Sequence, residues 1–301
     1  MGIAVRLVCG DDDYAAWRQV RLAVVPRERT DSVEALRAQA GPRLKFLLAE
    51  VDGVLAGSGV VGKSDLAGMG AVAARVLPDW RRRGVGTAIL RALAQQAAAM
   101  GFGVVGSNVE DPGSVRFAER YGFHEVDRQV EQVRAIGGEP APRLPDGVVI
   151  VPVSERAGLW RAAYQSVGAQ AFQDMATISP LDISLEQWER DWITDPDAMF
   201  VAVADGAVIG CAGLLPDTDD PGRAEHALTA VRRDWRGRGV ASALKRTCLA
   251  WAASHGLREV YTWTQRGNDD MRTLNTHLGF TTRTESLSMQ ASLPLAFKDS
   301  S

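Results

Sequence analysis

One stretch of this chain is written twice. Val76-Leu77-Pro78-Asp79-Trp80-Arg81-Arg82-Arg83-Gly84-Val85-Gly86 returns 155 residues later as Val231-Arg232-Arg233-Asp234-Trp235-Arg236-Gly237-Arg238-Gly239-Val240-Ala241. Two more pairs are collinear with it: Asp52-Gly53-Val54-Leu55-Ala56-Gly57 with Asp205-Gly206-Ala207-Val208-Ile209-Gly210, and Tyr121-Gly122-Phe123 with Leu278-Gly279-Phe280. The period is longer than that of any solenoid repeat, so each copy is expected to be a whole domain. Residues 137–147 have the Gly and Pro density of a linker. They place the boundary between domains spanning 1–141 and 142–301.

Both copies read alike. First strands are expected over 4–9 and 148–152, followed by helical periodicity in which Ser184-Leu185-Glu186-Gln187 has the form of a capping box. Apolar runs at 45–51 and 198–204 each end at Asp-Gly and continue into another apolar run. That is a hairpin signal, because a type I′ turn needs positive φ at both central residues. A further strand leads to Val76 or Val231. Helices are expected over 85–100 and 240–255, strands over 104–109 and 259–264, then a short helix ending at Gly-Phe and a last strand. The order β-α-α-β-β-β-α-β-α-β predicts an α/β (α+β) class: in each half, a mixed, mostly antiparallel sheet flanked by helices.

Composition narrows the function. With 46% hydrophobic and 24% charged residues the chain is globular, and a net charge of −3 argues against nucleic acid or an anionic membrane as partner. The N-terminus lacks the basic and apolar regions of a signal peptide, and no apolar run is long enough to span a bilayer. Cys9, Cys211 and Cys248 have no metal-ligand spacing and cannot all pair, which fits a cytoplasmic protein without a metal.

Chemistry concentrates in the repeated arginine–glycine loop. Arg81-x-x-Gly84-x-Gly86 and Arg236-x-x-Gly239-x-Ala241 each follow a strand and open a helix. Four backbone N–H groups there lack intrahelical partners, the helix dipole adds positive potential, and small residues let amides close around an anion. A phosphate or pyrophosphate is the ligand such a loop requires. The Rossmann fingerprint fails at Ile89 and Leu244, where it needs glycine, and the Gly-Lys-Ser/Thr of a P-loop is absent.

In these motifs both halves resemble the GNAT superfamily, acetyl-CoA-dependent N-acetyltransferases whose signature Gln/Arg-x-x-Gly-x-Gly/Ala joins the fourth strand to the third helix. The resemblance covers nearly the whole chain as two tandem GNAT-like domains. It implies splayed fourth and fifth strands with the pantetheine arm of acetyl-CoA between them, and acetyl transfer to an amine. Residue by residue, it implies that Arg81, Arg82, Arg83, Gly84, Val85 and Gly86 hold the pyrophosphate in one copy. Arg236, Gly237, Arg238, Gly239, Val240 and Ala241 do so in the other, with Val76 and Val231 near the thioester.

The copies match the family unequally. Where members often carry Asn after the fifth strand, the second half has Asn268 and the first has Asp111, whose carboxylate would repel a pyrophosphate. Where some place a glutamate base, the spacing finds Glu225 in the second half and Gly70 in the first. Where many use a tyrosine acid, this chain has Asn275 and Ala118, and an amide cannot act as an acid at neutral pH. The second half is therefore expected to be catalytic and the first degenerate.

The expected reaction is direct attack by an amine on the thioester. Glu225 collects the proton, backbone N–H groups near Val231 hold the oxyanion, and Asn275 hydrogen-bonds the sulfur or pantetheine. His226 belongs to the opposite sheet face, Trp80 and Trp235 read as packing, and Asp217-Thr218-Asp219-Asp220 as a solvated loop. Residues 174–180 are the candidate lid. The acceptor is expected to be a small-molecule primary amine, and the protein a monomer or homodimer. Three alternatives stay open: an acetyl-CoA sensor without turnover, an enzyme acting on protein amines, and the first half as the working site.

Overall fold

The computed structural model describes residues 2–156, 158–174 and 181–297. The first copy runs β1 (Ile3–Leu7), α1 (Asp11–Val24), α2 (Val33–Gln39), β2 (Leu44–Val51), β3 (Val54–Lys63), β4 (Gly70–Val76), α3 (Val85–Ala99), β5 (Val104–Val109), α4 (Pro112–Arg120) and β6 (His124–Ala135). The second runs β7 (Val149–Pro152), α5 (Leu159–Ala163), α6 (Ala169–Asp174), α7 (Leu185–Asp191), β8 (Met199–Ala204), β9 (Ala207–Pro216), β10 (Arg223–Val231), α8 (Val240–Ser254), β11 (Glu259–Gln265), α9 (Asp269–His277) and β12 (Thr281–Ser292). A π-turn at Tyr164–Gly168 joins α5 to α6.

The local signals act as expected. Asp52 and Gly53 turn the β2–β3 hairpin at φ 49° and 82°, and Asp205 and Gly206 turn β8–β9 at 49° and 76°. Ser184 and Gln187 form the capping box that starts α7.

The chain divides into two compact units, Met1–Arg128 with Ser286–Ser301, and Gln129–Glu285. Repeat and unit thus differ in their last strands. β6 pairs antiparallel with β11 from Gln129 to Ala135, and β12 pairs antiparallel with β5 from Leu287 to Ser292. The repeated strands β5 and β11 offer equivalent edges, so the last strand of either copy can pair there.

Each unit is a six-stranded mixed sheet, antiparallel except at one pair. In the first unit the order is β1-β2-β3-β4-β5-β12 and β4–β5 is parallel; in the second it is β7-β8-β9-β10-β11-β6 and β10–β11 is parallel. Apolar cores lie on both faces. In the first unit Ile89, Leu93 and Phe123 fill the α3/α4 side, and Trp17, Leu36 and Phe46 the α1/α2 side. In the second, Leu244, Leu249 and Phe280 fill the α8/α9 side, and Trp160, Trp188 and Phe172 the α5–α7 side.

Candidate active site

Both arginine–glycine loops start a helix with bare amides. α3 and α8 have Gly84 and Gly239 as N-caps, at φ 86° and 83°, and neither cap supplies a side-chain hydrogen bond. One turn position earlier the backbone is again left-handed, at Arg82 (φ 61°) and at Gly237 (φ 74°). Glycine takes that conformation without penalty, whereas an arginine there is strained. Arg81 and Arg236 fold back to the strand they follow, each Nε donating to the carbonyl of Val76 (3.2 Å) or Val231 (3.0 Å). Arg83 lies over the Trp80 ring at 5.2 Å and Arg238 over Trp235 at 4.9 Å, so both tryptophans support the loop.

Behind each loop the parallel strands part. β4 meets β5 at Gly70–Val105 and Ala71–Gly106; β10 meets β11 at Arg223–Glu259, Ala224–Val260 and Glu225–Tyr261. Here the copies diverge. β10 carries a bulge between His226 and Thr229 against β9, whereas β4 runs in continuous register against β3. The bulge shifts the equivalence deduced from spacing. Glu225 pairs with Leu215 and Tyr261, and the residue in the matching register of the first unit is Ala71, paired with Lys63's neighbour Gly62 and with Gly106. Neither Ala71 nor Gly70 offers a base.

Beyond the parting, the second unit buries polar groups on its α8/α9 face. The Thr262 hydroxyl donates to the His226 carbonyl (3.0 Å), and Asn275, buried, donates Nδ2 to Gln132 Oε1 (2.9 Å) and to Thr264 Oγ1 (3.4 Å). Among the described residues, the buried atoms Thr229 Oγ1, Asn275 Oδ1, His226 Nε2 and, further along β6, Arg134 Nη1 have no hydrogen-bond partner. Burial, and then the nearby Lys245, hold the His226 imidazole well below its ordinary pKa. Lys245 itself is buried and pulled down to about 8 by desolvation. The matching positions of the first unit are Val72, Ala74, Val109, Ala118, Met289 and Leu90, all in one apolar cluster. Spacing alone reached Asn275; it missed Thr229 and Thr264, and it missed Gln132 because that residue arrives from the last strand of the other repeat.

On the opposite face Glu225 is half-buried beside Tyr261. Arg223 lies over the Tyr261 ring at 4.8 Å and bonds Glu259 (3.1 Å), and Arg283 bonds both Glu131 (2.7 Å) and Glu259 (2.8 Å). In the acidic loop, Asp217 pairs with Arg223 at 3.7 Å and Asp220 with Arg258 at 2.6 Å, so these carboxylates are held within the unit.

Asp111 accepts from the N–H groups of Gly113 (2.9 Å) and Ser114 (3.0 Å) and caps α4, while Asn268 stands at the start of α9 without a side-chain cap bond. In the first unit a Cβ at Gly86 would sit 3.4 Å from the Phe117 ring and 3.5 Å from Val76 Cγ2, in ordinary contact with both. A pocket of about 400 Å³ opens beside Gly84. There the Thr87 hydroxyl is bonded to Tyr121 (2.7 Å), and Arg91 lies over Phe297 at 4.9 Å. Of the candidate lid, residues 175–180 lie outside the described residues. Asp174 pairs with Arg236 at 2.5 Å and with Arg233, and the two guanidiniums, Arg233 first, hold its carboxyl down at about 2. Among the described residues, no helix is long and apolar enough to cross a membrane.

A mixed sheet, parted where two strands run parallel, with a glycine-capped helix behind the parting, defines an acyltransferase fold in duplicate. The chain belongs to the acetyltransferase (GNAT) family, whose model matches residues 13–123 and 162–280, and it is an N-acetyltransferase. It is 30% identical to a mycothiol acetyltransferase of Saccharomonospora viridis over 69% of each chain, and 30% identical to one of Geodermatophilus obscurus over 68% of each. Among solved structures, a tandem GNAT protein from the clavulanic acid biosynthesis pathway superposes with a TM-score of 0.78 at 20% identity, covering 97% of this chain and 98% of that one. A GCN5-related N-acetyltransferase from Sphaerobacter thermophilus reaches 0.74 at 20% identity, covering 96% and 95%.

Proposed function

We propose that the second unit transfers an acetyl group from acetyl-CoA to the primary amine of a small molecule, and that the first unit does not turn over. The observation that carries this reading is the set of buried, unpartnered polar atoms beside the β10–β11 parting. Each such atom is unfavourable by about 1–3 kcal/mol unless a ligand satisfies it. An arm with amide and hydroxyl groups supplies the missing partners, and the glycine cradle at Gly237 and Gly239 suits its pyrophosphate.

Acetyl-CoA when bound supplies an activated acyl thioester. In this reading the amides from Gly237 to Ala241 and the start of α8 anchor the diphosphate, with Arg236 and Arg238 as charged donors. Asn268 stands at the next helix start. Thr229 and Asn275 orient the arm, with Gln132 holding the Asn275 amide. Backbone N–H groups of β10 between its bulge and Val231 face the acyl oxygen, and Glu225 on the other side of the parting takes the amine proton. Remote binding energy then becomes orientation at the thioester. The relatives named mycothiol acetyltransferases favour a small molecule as acceptor over a protein.

The test is thiol release from acetyl-CoA with a panel of small amines and amine-bearing peptides. Release with a small amine, abolished in Glu225→Gln, is expected. Tight coenzyme binding with no release on any acceptor would replace this reading with a sensor.

A further inference from the structure

The first unit also buries charge, but on the other side of its sheet. Arg75 of β4 lies directly opposite Ser58 of β3, and both are buried. In the second unit the same register holds Ala230 opposite Cys211, an apolar pair inside an apolar cluster. A guanidinium is withdrawn from water only where acceptors surround it.

Arg75 has too few. Its Nη2 donates to Glu28 Oε2 at 3.3 Å, and the same oxygen takes Arg21 Nη2 at 2.8 Å, so two guanidiniums share one carboxylate. Arg21 also donates to two neutral acceptors, Thr30 Oγ1 at 3.2 Å and the Arg29 carbonyl at 3.0 Å. Both guanidiniums lie 5.9 Å from the centroid of the Trp17 ring, which walls the site. Three acids of this face are engaged with other arginines: Asp31 with Arg29 (3.2 Å), Asp11 with Arg37 (2.9 Å) and Asp13 with Arg6. Arg75 Nη1 and Ser58 Oγ, on facing residues of adjacent strands, have no partner among the described residues. Burial, and then Arg21, pull Arg75 down to about 10, as expected for a cation short of counter-charge.

We infer that Arg75, Arg21 and Ser58 form a binding site for a small monoanion, a carboxylate or an inorganic anion, on the α1/α2 face of the first unit. Its acceptor atoms take the open donors of Arg75 Nη1 and Ser58 Oγ, and its charge balances the second guanidinium. The site is separate from the arginine–glycine loop, because the flanking Gly57 and Gly59 face Ile89 of α3 across the sheet. It stands whether or not this unit binds a thioester.

Thermal melting of the full chain in sodium acetate and in sodium bromide, at ionic strength held constant with a bulky sulfonate, sodium camphorsulfonate, tests the site. The wild type should show a saturable rise in melting temperature. Ser58→Ala should shift half-saturation upward about tenfold, and Arg75→Met, which removes the buried charge, should melt without any saturable response. Saturation by acetate alone identifies a carboxylate site, and saturation by both a general anion site. A bromide anomalous peak within hydrogen-bond reach of Arg75 is expected in crystals of the wild type. No saturable rise with either anion, or the same saturation in Arg75→Met, overturns the inference.

Discussion

The two units share strand order, hairpins and glycine-capped helices, yet they differ in which polar side chains each face of the sheet buries. In the second unit His226, Thr229, Thr264, Asn275 and Gln132 line the side of the parted strands that faces α8 and α9. The first unit has Val72, Ala74, Val109, Ala118 and Met289 there. On the reverse face the first unit buries Arg75 and Ser58 where the second buries Ala230 and Cys211. A fold tolerates either face being apolar. What it does not tolerate cheaply is an unpaired donor or acceptor, so the orphaned atoms mark where a ligand is wanted.

The largest expected difference between the units lies at the proposed base. Glu225→Gln should lower kcat by about 10²–10³ while leaving coenzyme A affinity within about twofold, measured by thiol release and calorimetry. Adding Ala71→Glu to that variant should restore nothing, because β4 lacks the bulge. Next, Thr229→Val and Asn275→Leu should each weaken coenzyme A binding about tenfold, but with opposite effects in urea melts. Thr229→Val should raise stability by about 1–3 kcal/mol because it removes a buried hydroxyl without a partner, and Asn275→Leu should lower it because it strands Gln132 Oε1. The same pair introduced in reverse, Ala74→Thr with Ala118→Asn, should lower stability without creating affinity.

Lys245 offers a smaller effect. Its position in the first unit is Leu90, and Lys245→Leu should stabilise the chain by about 1–3 kcal/mol below pH 8. The folded pKa is about 8 against an ordinary 10.5, so between those values the unfolded chain holds more protons. Wild-type stability should therefore rise as pH goes from 8 to 10, and that slope should flatten in Lys245→Leu. His226 acts in the acid range: its folded pKa lies well below 6.5, so stability should fall as pH drops below that value. The smallest effect is at the first loop, where Arg82 holds the left-handed conformation that Gly237 takes freely. Arg82→Gly should gain about 0.5–1 kcal/mol by thermal melting.

Much of this was legible in the sequence. The strand at Val104–Val109, the helix starts at Val85 and Val240, and both Asp-Gly hairpins follow from apolar periodicity and turn chemistry, which are local. The loop glycines were legible as helix starts because Gly84 and Gly239 sit at positive φ, a conformation glycine adopts without penalty. Register was not. The bulge that moves the counterpart of Glu225 from Gly70 to Ala71 inserts one residue without any change of composition. Gln132 was hidden for a different reason: it lies in the first repeat but pairs with β11, and the edge it completes carries no sequence label. Asp174 belonged to a candidate lid by position, and its pairing with Arg233 and Arg236 required three dimensions.

A crystal structure of the full chain grown with coenzyme A decides between the two units. One coenzyme per chain is expected, between β10 and β11, with its arm bonded to Thr229 Oγ1 and Asn275 Oδ1. Coenzyme lodged instead between β4 and β5, with the second unit empty, would contradict it.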